Sequence, residues 1–133
     1  MSIQEGSLDP LAWREYARKD WTRIFVHLEK EDFEASAFFL QQSLEKYLKG
    51  YLLQRGWKLK KIHPLHPLLK EASQSNPDLA SYLPLCERVS GYYIIERYPP
   101  LTSLDLTRGD LQRDLELARG LILTLFPDED LKC

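Results

Sequence analysis

The stretch FEASAFFLQQSLEKYLKGYLLQRG, residues 33–56, decides the fold. Its apolar side chains recur at the three- and four-residue spacings of an amphipathic α-helix, and the glycine at position 56 can close that helix in a left-handed conformation. One row consists of Phe33, Ala37, Leu40, Leu44, Tyr47, Leu48 and Tyr51, and a second row of Phe38, Gln42, Glu45 and Lys49 runs along another face. A helix with apolar groups on more than one side is usually either central in a bundle or faces a second subunit. The pattern does not distinguish between these two interpretations.

The same helical period continues on both sides of this stretch. Asp9 and Asn76 each offer a side-chain cap directly before a proline, and Thr107 with Asp110 resembles a capping box. The predicted helices cover about residues 10–29, 33–55, 63–73, 77–97 and 107–126. In the fourth of them, Pro84 predicts either a one-turn helix before a longer one or a kink, because proline removes a backbone hydrogen bond within a helix.

These elements predict an all-α fold, since no run alternates apolar and polar residues as a strand does. The brief turns between consecutive helices favour an antiparallel up-and-down bundle of four long helices plus one short helix. A length of 133 residues suits a single domain, residues 1–133, with its core over about residues 10–126. The acidic tail, residues 128–133, is expected to be loosely held.

Composition excludes several classes of protein. Apolar residues make up 44% of the chain and charged residues 29%, which is ordinary for a globular protein and excludes a disordered one. The net charge of −2 gives no support to a protein that coats nucleic-acid duplexes. Two cysteines, no signal peptide and no apolar run of membrane-spanning length indicate free thiols and a cytoplasmic location without membrane contact.

Few residues carry a chemistry that their spacing identifies. There is no glycine-rich phosphate loop, and His63 and His66 alone do not supply the three protein ligands that zinc needs. We therefore expect no metal site and no cofactor. Glu45 and Lys49 are four residues apart and predict either a surface ion pair or a polar site in a groove between helices.

Two cationic features could contact a phosphate. Lys58, Lys60 and Lys61 follow the long helix and indicate either a solvated basic loop or a phosphate-contacting patch. Arg97, which precedes Tyr98, ends a predicted helix, where a cation suits the negative end of the helix dipole. Alternatively, its guanidinium points into a cleft and holds a phosphate.

Three segments resemble motifs of one protein family. FFLQQSLEKYLKG, residues 38–50, resembles the AxxQQAxEKxLKA helix of HEPN domains, which are found in higher eukaryotes and prokaryotes. HPLHPLL, residues 63–69, resembles their HDLxxLL segment, with Pro64 in place of the usual Asp. YYIIERYP, residues 92–99, resembles the YxxxRYP that ends their fourth helix. The three segments occur in the family's order.

The resemblance implies an all-helical bundle that commonly forms a homodimer and often pairs with a minimal nucleotidyltransferase as a toxin–antitoxin module. It also implies metal-independent RNase activity for members in which an Arg is followed, four to six residues later, by His. Arg97 occupies the Arg position here, but no histidine follows it. A guanidinium can stabilise phosphate charge but cannot shuttle a proton near neutral pH, so we expect no strong RNase activity.

These observations favour a HEPN-like interaction module without catalytic residues, which forms a homodimer and works with a nucleotidyltransferase partner. One alternative is a divergent RNase that uses Arg97 with His63 or with an acidic residue, where His63 can replace the missing histidine only if folding brings it beside Arg97. Another is a domain that binds a nucleotide, RNA or another anion through Arg97, Tyr98, Lys46, Lys49 and His63.

Overall fold

All regular elements of the described chain are helical. A computed structural model describes residues 9–93 and 106–131 and contains no β-strand within these ranges. The elements are α1 (Pro10–Glu29), α2 (Phe33–Gln54), α3 (Leu65–Ser73), a 3-10 helix (Pro77–Tyr82), α4 (Leu83–Ser90) and α5 (Arg108–Leu125). The predicted all-α fold is therefore confirmed. None of the described helices is both long enough and apolar enough to cross a bilayer.

The helices begin where the sequence offers caps. The side chain of Asp9 accepts a hydrogen bond from the backbone N–H of the second residue of α1, and Asp32 accepts one at the start of α2. Asn76 does the same before the 3-10 helix. Thr107 and Asp110 form both hydrogen bonds of a capping box, each side chain accepting from the backbone N–H of the other. These caps satisfy N–H groups that have no partner within their own helix.

Small residues let α1 and α2 pack closely in an antiparallel pair. The Ser36 hydroxyl donates to the carbonyl of Ile24 at 3.0 Å, and seven residues further along α2 the Ser43 hydroxyl donates to the carbonyl of Ala17 at 2.8 Å. After another seven residues, a Cβ on Gly50 would lie 3.2 Å from a backbone oxygen in the first turn of α1. A larger residue at this point would therefore require the backbone of α1 to move by a few tenths of an ångström.

The helix α2 is the centre of the fold. It packs against α1, α3, α4 and α5, and Leu40, Leu44 and Leu48 on it are completely buried. Contacts within one chain therefore account for its unusually apolar surface. The helix ends at Gln54, and Gly56 just beyond it has a φ of +84°, the left-handed conformation expected at this position.

The fourth predicted helix is divided near Pro84. A 3-10 helix runs up to Tyr82, and α4 begins at Leu83. The structure therefore shows a short helix followed by a second one, and not the single kinked helix that the sequence also allowed. Pro84 falls in the first turn of α4, where its missing N–H is not needed. The helix α4 ends at Ser90, and the predicted continuation beyond residue 93 lies outside the described residues.

The cysteine within α4 behaves as a small core residue. Cys86 is completely buried, and burial raises the pKa of its thiol to about 12. A thiol with such a pKa is almost entirely protonated at neutral pH and is a poor nucleophile.

The tail after α5 is held against the fold, so the expectation that it is loosely held is wrong. Its acidic residues suggested a loose segment, but the side chain of Glu129 has no exposed surface and contacts Arg14, Arg18 and Tyr47. The expectation considered only local composition. The cations that hold the tail are more than 80 residues away along the chain, and only the folded arrangement brings them to it.

Candidate functional site

Three polar side chains lie one turn apart along α2 and are all buried. They are Gln41, Glu45 and Lys49. The Glu45 carboxylate is the middle member: one oxygen accepts from Gln41 Nε2 at 3.1 Å, and the other accepts from Lys49 Nζ at 2.9 Å. Because the Lys49 side chain is only 1% exposed, the surface ion pair allowed by the sequence is the wrong alternative. The pair belongs to a polar site within the helical packing.

The connector between α2 and α3 completes this site with His63. Its Nδ1 lies 3.2 Å from the Glu45 carboxylate, and its backbone oxygen accepts from Gln41 Nε2 at 2.8 Å. Its imidazole stacks on the ring of Tyr93, with the ring centroids 5.1 Å apart. We call Gln41, Glu45, Lys49, His63 and Tyr93 the α2 polar cluster.

His63 is the member of this cluster through which solvent can reach the buried charges. Its side chain is 42% exposed, whereas that of Glu45 is 7% exposed. When Nδ1 carries the hydrogen and donates it to Glu45, Nε2 is left as a hydrogen-bond acceptor. The cluster can therefore hold an imidazole in one orientation, which general acid–base chemistry and ligand binding both require.

Lys46 does not belong to the α2 polar cluster, although the sequence grouped it with Lys49. Its ammonium pairs with Asp20 on α1, which also accepts from Arg23 Nη1 at 2.6 Å. Lys49 instead lies over the ring of Trp13, 5.4 Å from the ring centroid. The structure therefore brings Lys49 and His63 together around Glu45 and places Lys46 in a separate ion pair.

The remaining two predicted ligand-binding residues, Arg97 and Tyr98, lie outside the described residues. The nearest described contact is that of Tyr93, four positions before Arg97 in the sequence. Tyr92 beside it is buried, and its hydroxyl donates to Asp114 on α5 at 2.7 Å. Tyr92 therefore contacts α5, and Tyr93 beside it contacts His63.

A second buried carboxylate was missed by sequence reasoning. Glu129 accepts hydrogen bonds from Arg14 Nε and Arg18 Nε, both at 2.6 Å, and from the Tyr47 hydroxyl at 2.8 Å. Burial alone would raise the pKa of Glu129, but these hydrogen bonds outweigh it and leave the pKa lowered. Burial and the bond to Glu129 raise the pKa of Tyr47 far above its usual value. We call these four residues the tail clamp.

A third pairing joins α4 to α5. Arg88 donates to one oxygen of Asp114 through Nε at 3.0 Å and through Nη2 at 2.5 Å, while Tyr92 donates to the other. Burial, followed by the hydrogen bond to Asp114, raises the pKa of Tyr92 above its usual range. The acid is completely buried and its hydrogen bonds are directed within the fold, so this contact positions helices.

The described residues contain no group of three or more His, Cys, Asp or Glu side chains arranged to hold a metal ion. The two histidines that the sequence considered as a pair diverge. His63 contacts Glu45, whereas His66 Nδ1 lies 3.5 Å from the Ser90 hydroxyl. His27 is elsewhere, stacked on Phe39.

The residues of the α2 polar cluster come from the three segments that resemble family motifs. Gln41, Glu45 and Lys49 come from the first segment, His63 from the second and Tyr93 from the third. Comparison with curated proteins and with solved structures finds no match. Comparison with protein families finds one, since the model of the HEPN domain matches residues 11–127. The match spans most of the chain, and the protein belongs to the HEPN domain family.

Proposed function

We propose that the protein is a non-catalytic HEPN module that forms a homodimer and docks a partner protein, with a minimal nucleotidyltransferase as the leading candidate in a toxin–antitoxin-like pair. Family membership is consistent with a nucleotide-binding or RNase-like module, and HEPN domains commonly dimerise. This chain could therefore retain nucleotide binding, RNase activity or dimer formation, and we infer that it retains dimer formation.

One observation carries the proposal: all three histidines precede Arg97 in the sequence, and each contacts another side chain within the described residues. Metal-independent cleavage of RNA needs a proton acceptor and a proton donor beside the reacting phosphate. Arg97 cannot supply either near neutral pH because its guanidinium stays protonated.

The pairing of the α2 lysines also argues against a phosphate site there. Lys46 is paired with Asp20, and the Lys49 side chain is 1% exposed and paired with Glu45. A nucleotide or another anion would have to displace a carboxylate from one of these ammonium groups. That exchange has little driving force, because an existing ion pair would have to be broken to form a new one.

Dimer formation is tested by size-exclusion chromatography with light scattering. We expect a mass of twice the 15.6 kDa chain at micromolar concentration. A monomer at that concentration would contradict the proposal. Partner binding is tested by co-expression with a minimal nucleotidyltransferase encoded beside this chain, if there is one, and co-purification of the two is the expected result.

A second candidate function, a divergent RNase, is favoured by one specific contact. His63 stacks on Tyr93, which stands four residues before Arg97, and its orientation is held by Glu45. An imidazole in this position would supply the proton transfer that Arg97 lacks, and such help typically contributes about 10²–10⁴-fold in rate.

Labelled RNA incubated with the purified protein distinguishes the two functions. If the chain is an RNase of this kind, both Arg97→Ala and His63→Ala should reduce cleavage by about a hundredfold or more, while His66→Ala should leave it unchanged. If it is a docking module, the unaltered protein should cleave no faster than any of these variants.

A further inference from the structure

Charge is distributed very unevenly along the chain. Residues 46–70 contain seven of the eighteen Lys and Arg residues and none of the twenty Asp and Glu residues. The rest of the chain is left with eleven cations against twenty acids. A negatively charged partner is therefore repelled by most of the protein and attracted to one segment of it.

Within this segment, the exposed cations lie in the basic connector, residues 57–64 between α2 and α3. Lys58, Lys60 and Lys61 are exposed, and none of them has an ion pair with an acid in the part of the chain that the structure describes. The exposed arginines Arg18, Arg23 and Arg113 all have such a pair. Lys19, Lys30 and Lys70 are also exposed and have no ion pair in the described ranges, but they are scattered over α1, the turn after it and α3, whereas Lys58, Lys60 and Lys61 lie together in one short segment.

The backbone of the basic connector is also available. Residues 57–64 form no helix or strand, and no described residue accepts a hydrogen bond from the backbone N–H groups of residues 58–61, while the Lys60 carbonyl accepts one from the N–H of Ile62 at 2.9 Å. Trp57 and Leu59 are partly buried, whereas Lys58 and Lys60 are exposed. Lys61 is also exposed, and Lys60 Nζ lies 6.0 Å from the centroid of the Trp57 ring, so the alternation typical of an extended chain is limited to residues 57–60, with Trp57 packed against the core.

A cavity of about 330 Å³ opens beside the start of this segment. Its lining includes Leu52, Arg55, Trp57, Glu71, Gln74 and Ser75. Arg55 is held in place, with its guanidinium 3.5 Å over the ring of Tyr51 and Nη1 donating to the Tyr51 carbonyl. The cavity therefore has an apolar wall and a fixed cation next to the unpaired backbone.

We propose that the basic connector docks an extended acidic segment of a partner protein. The partner backbone pairs with the free N–H groups of residues 58–61, its carboxylates lie beside Lys58 and Lys60 with Lys61 adding to the positive field, and an apolar side chain enters the cavity beside Trp57. Addition of an extended segment to unpaired backbone is an established mode of peptide recognition, in which backbone hydrogen bonds supply affinity and alternate side chains supply specificity.

Three features favour a peptide over a nucleic acid as the occupant. A nucleic acid has no row of amides to pair with the backbone of residues 58–61. Glu71, on the cavity wall, would repel a phosphodiester placed in the cavity, whereas the proposed peptide places an uncharged apolar side chain there. A long polyanion would also meet the acidic remainder of the chain, whereas a short acidic segment with an apolar anchor contacts only the basic connector.

This inference rests on the proposed docking function, and it is tested separately by fluorescence anisotropy on the full chain. The probe is a labelled peptide that alternates glutamate with valine. The test variant carries Lys58→Gln, Lys60→Gln and Lys61→Gln together. The matched control carries Lys19→Gln, Lys30→Gln and Arg113→Gln, which remove the same charge from α1, its following turn and α5.

The expected result is saturable binding that the connector variant weakens by about tenfold or more, while the control variant weakens it much less. A version of the peptide with methylated backbone amides should bind more weakly than the unmodified one, because it cannot pair as a strand. The lysine counterpart of the peptide should not bind.

Absence of peptide binding at millimolar concentration would overturn the inference, as would equal binding by the methylated peptide or equal weakening in both variants. Tighter binding of an oligouridylate of the same charge would overturn it in favour of a nucleic acid. If the protein is a dimer but does not bind the peptide, this inference is wrong and the proposed function stands. If the protein is a monomer that binds the peptide, the proposed dimer is wrong and this inference stands.

Discussion

Two buried carboxylates, Glu129 in the tail clamp and Glu45 in the α2 polar cluster, are satisfied in different ways. Glu129 is bound by two guanidinium groups and a phenol and has no exposed surface. Glu45 is bound by one ammonium, one amide and an imidazole that is 42% exposed. The first carboxylate approaches solvent only beside the Arg18 guanidinium, whose side chain is 48% exposed, whereas the second does so beside an imidazole.

The difference separates a contact that holds the fold together from one that could take part in function. Two arginines and a tyrosine satisfy the Glu129 carboxylate, and the only one of these three that is exposed, Arg18 with 48% of its side chain accessible, is a guanidinium that does not give up its proton near neutral pH. The α2 polar cluster orients an imidazole at the surface and keeps a buried charge behind it. Its members also come from the segments that carry the family resemblance, whereas Arg14, Arg18 and Glu129 lie outside them.

The largest loss of stability is expected when the tail clamp is disrupted. Glu129→Ala leaves two arginines and a phenol without their acceptor, and we expect the free energy of unfolding to fall by about 3 kcal/mol. Urea denaturation followed by circular dichroism measures it. The control is Asp128→Ala in the same tail, which removes only an exposed ion pair to Arg14 Nη2 at 2.9 Å, since the Asp128 side chain is 75% exposed; a loss as large in that variant would contradict the distinction.

Removal of the ammonium from the α2 polar cluster should cost less. Lys49→Met leaves the Glu45 carboxylate buried but still bonded by Gln41 and His63, and we expect a loss of about 2 kcal/mol. The double variant Glu45→Gln with Lys49→Met should lose less than the two single variants together, because each single variant leaves a buried partner unsatisfied. Strict additivity in denaturant titrations would show that the pair does not interact.

Acid should weaken the tail clamp selectively. The pKa of Glu129 is lower in the folded protein than its ordinary value of 4.5, so its contribution to stability is complete above that pH and is lost as the pH falls through the folded value. Unfolding free energies measured from neutral pH downwards should therefore fall more steeply for the unaltered protein than for Glu129→Gln. Parallel curves for the two proteins would contradict this assignment.

The smallest effect on stability is expected at the exposed edge of the α2 polar cluster. His63→Ala removes a half-exposed contact to Glu45 and a stacked ring, together about 1 kcal/mol. His63→Phe should recover part of this loss because it retains stacking on Tyr93. A loss at His63 that exceeds the one at Glu129 would reverse the comparison.

Local signals predicted most of the fold. The start of α1 at Pro10, the start of α2 at Phe33 and the end of α5 before Phe126 follow from a cap, a proline or a change of period within a few residues of each boundary. Such signals act through the backbone of one helix and do not depend on its neighbours. The sequence left two forms of the chain open near Pro84, and the structure shows a 3-10 helix followed by α4, with Pro84 in the first turn of α4.

The candidate site was predicted only in part. His63, Lys49 and Glu45 were identified individually, but their common contact was not, and Lys46 was grouped with them although it faces Asp20. Neighbouring positions on a helix point in different directions, so a cluster of polar letters does not specify which of them converge. Gln41 could have been found as the residue one turn before Glu45 on a mostly apolar helix.

The amino-acid order alone specified helices, their caps, the family motifs and the absence of a histidine after Arg97, because each of these depends on residue identity and short spacing. The tertiary structure decided which charges are buried and which remain available. Arg14 meets Glu129 across 115 positions, while Lys58, Lys60 and Lys61 meet no acid in the described part of the chain. That difference arises from packing, since an ion pair between distant segments exists only where the folded backbone brings its two partners within reach.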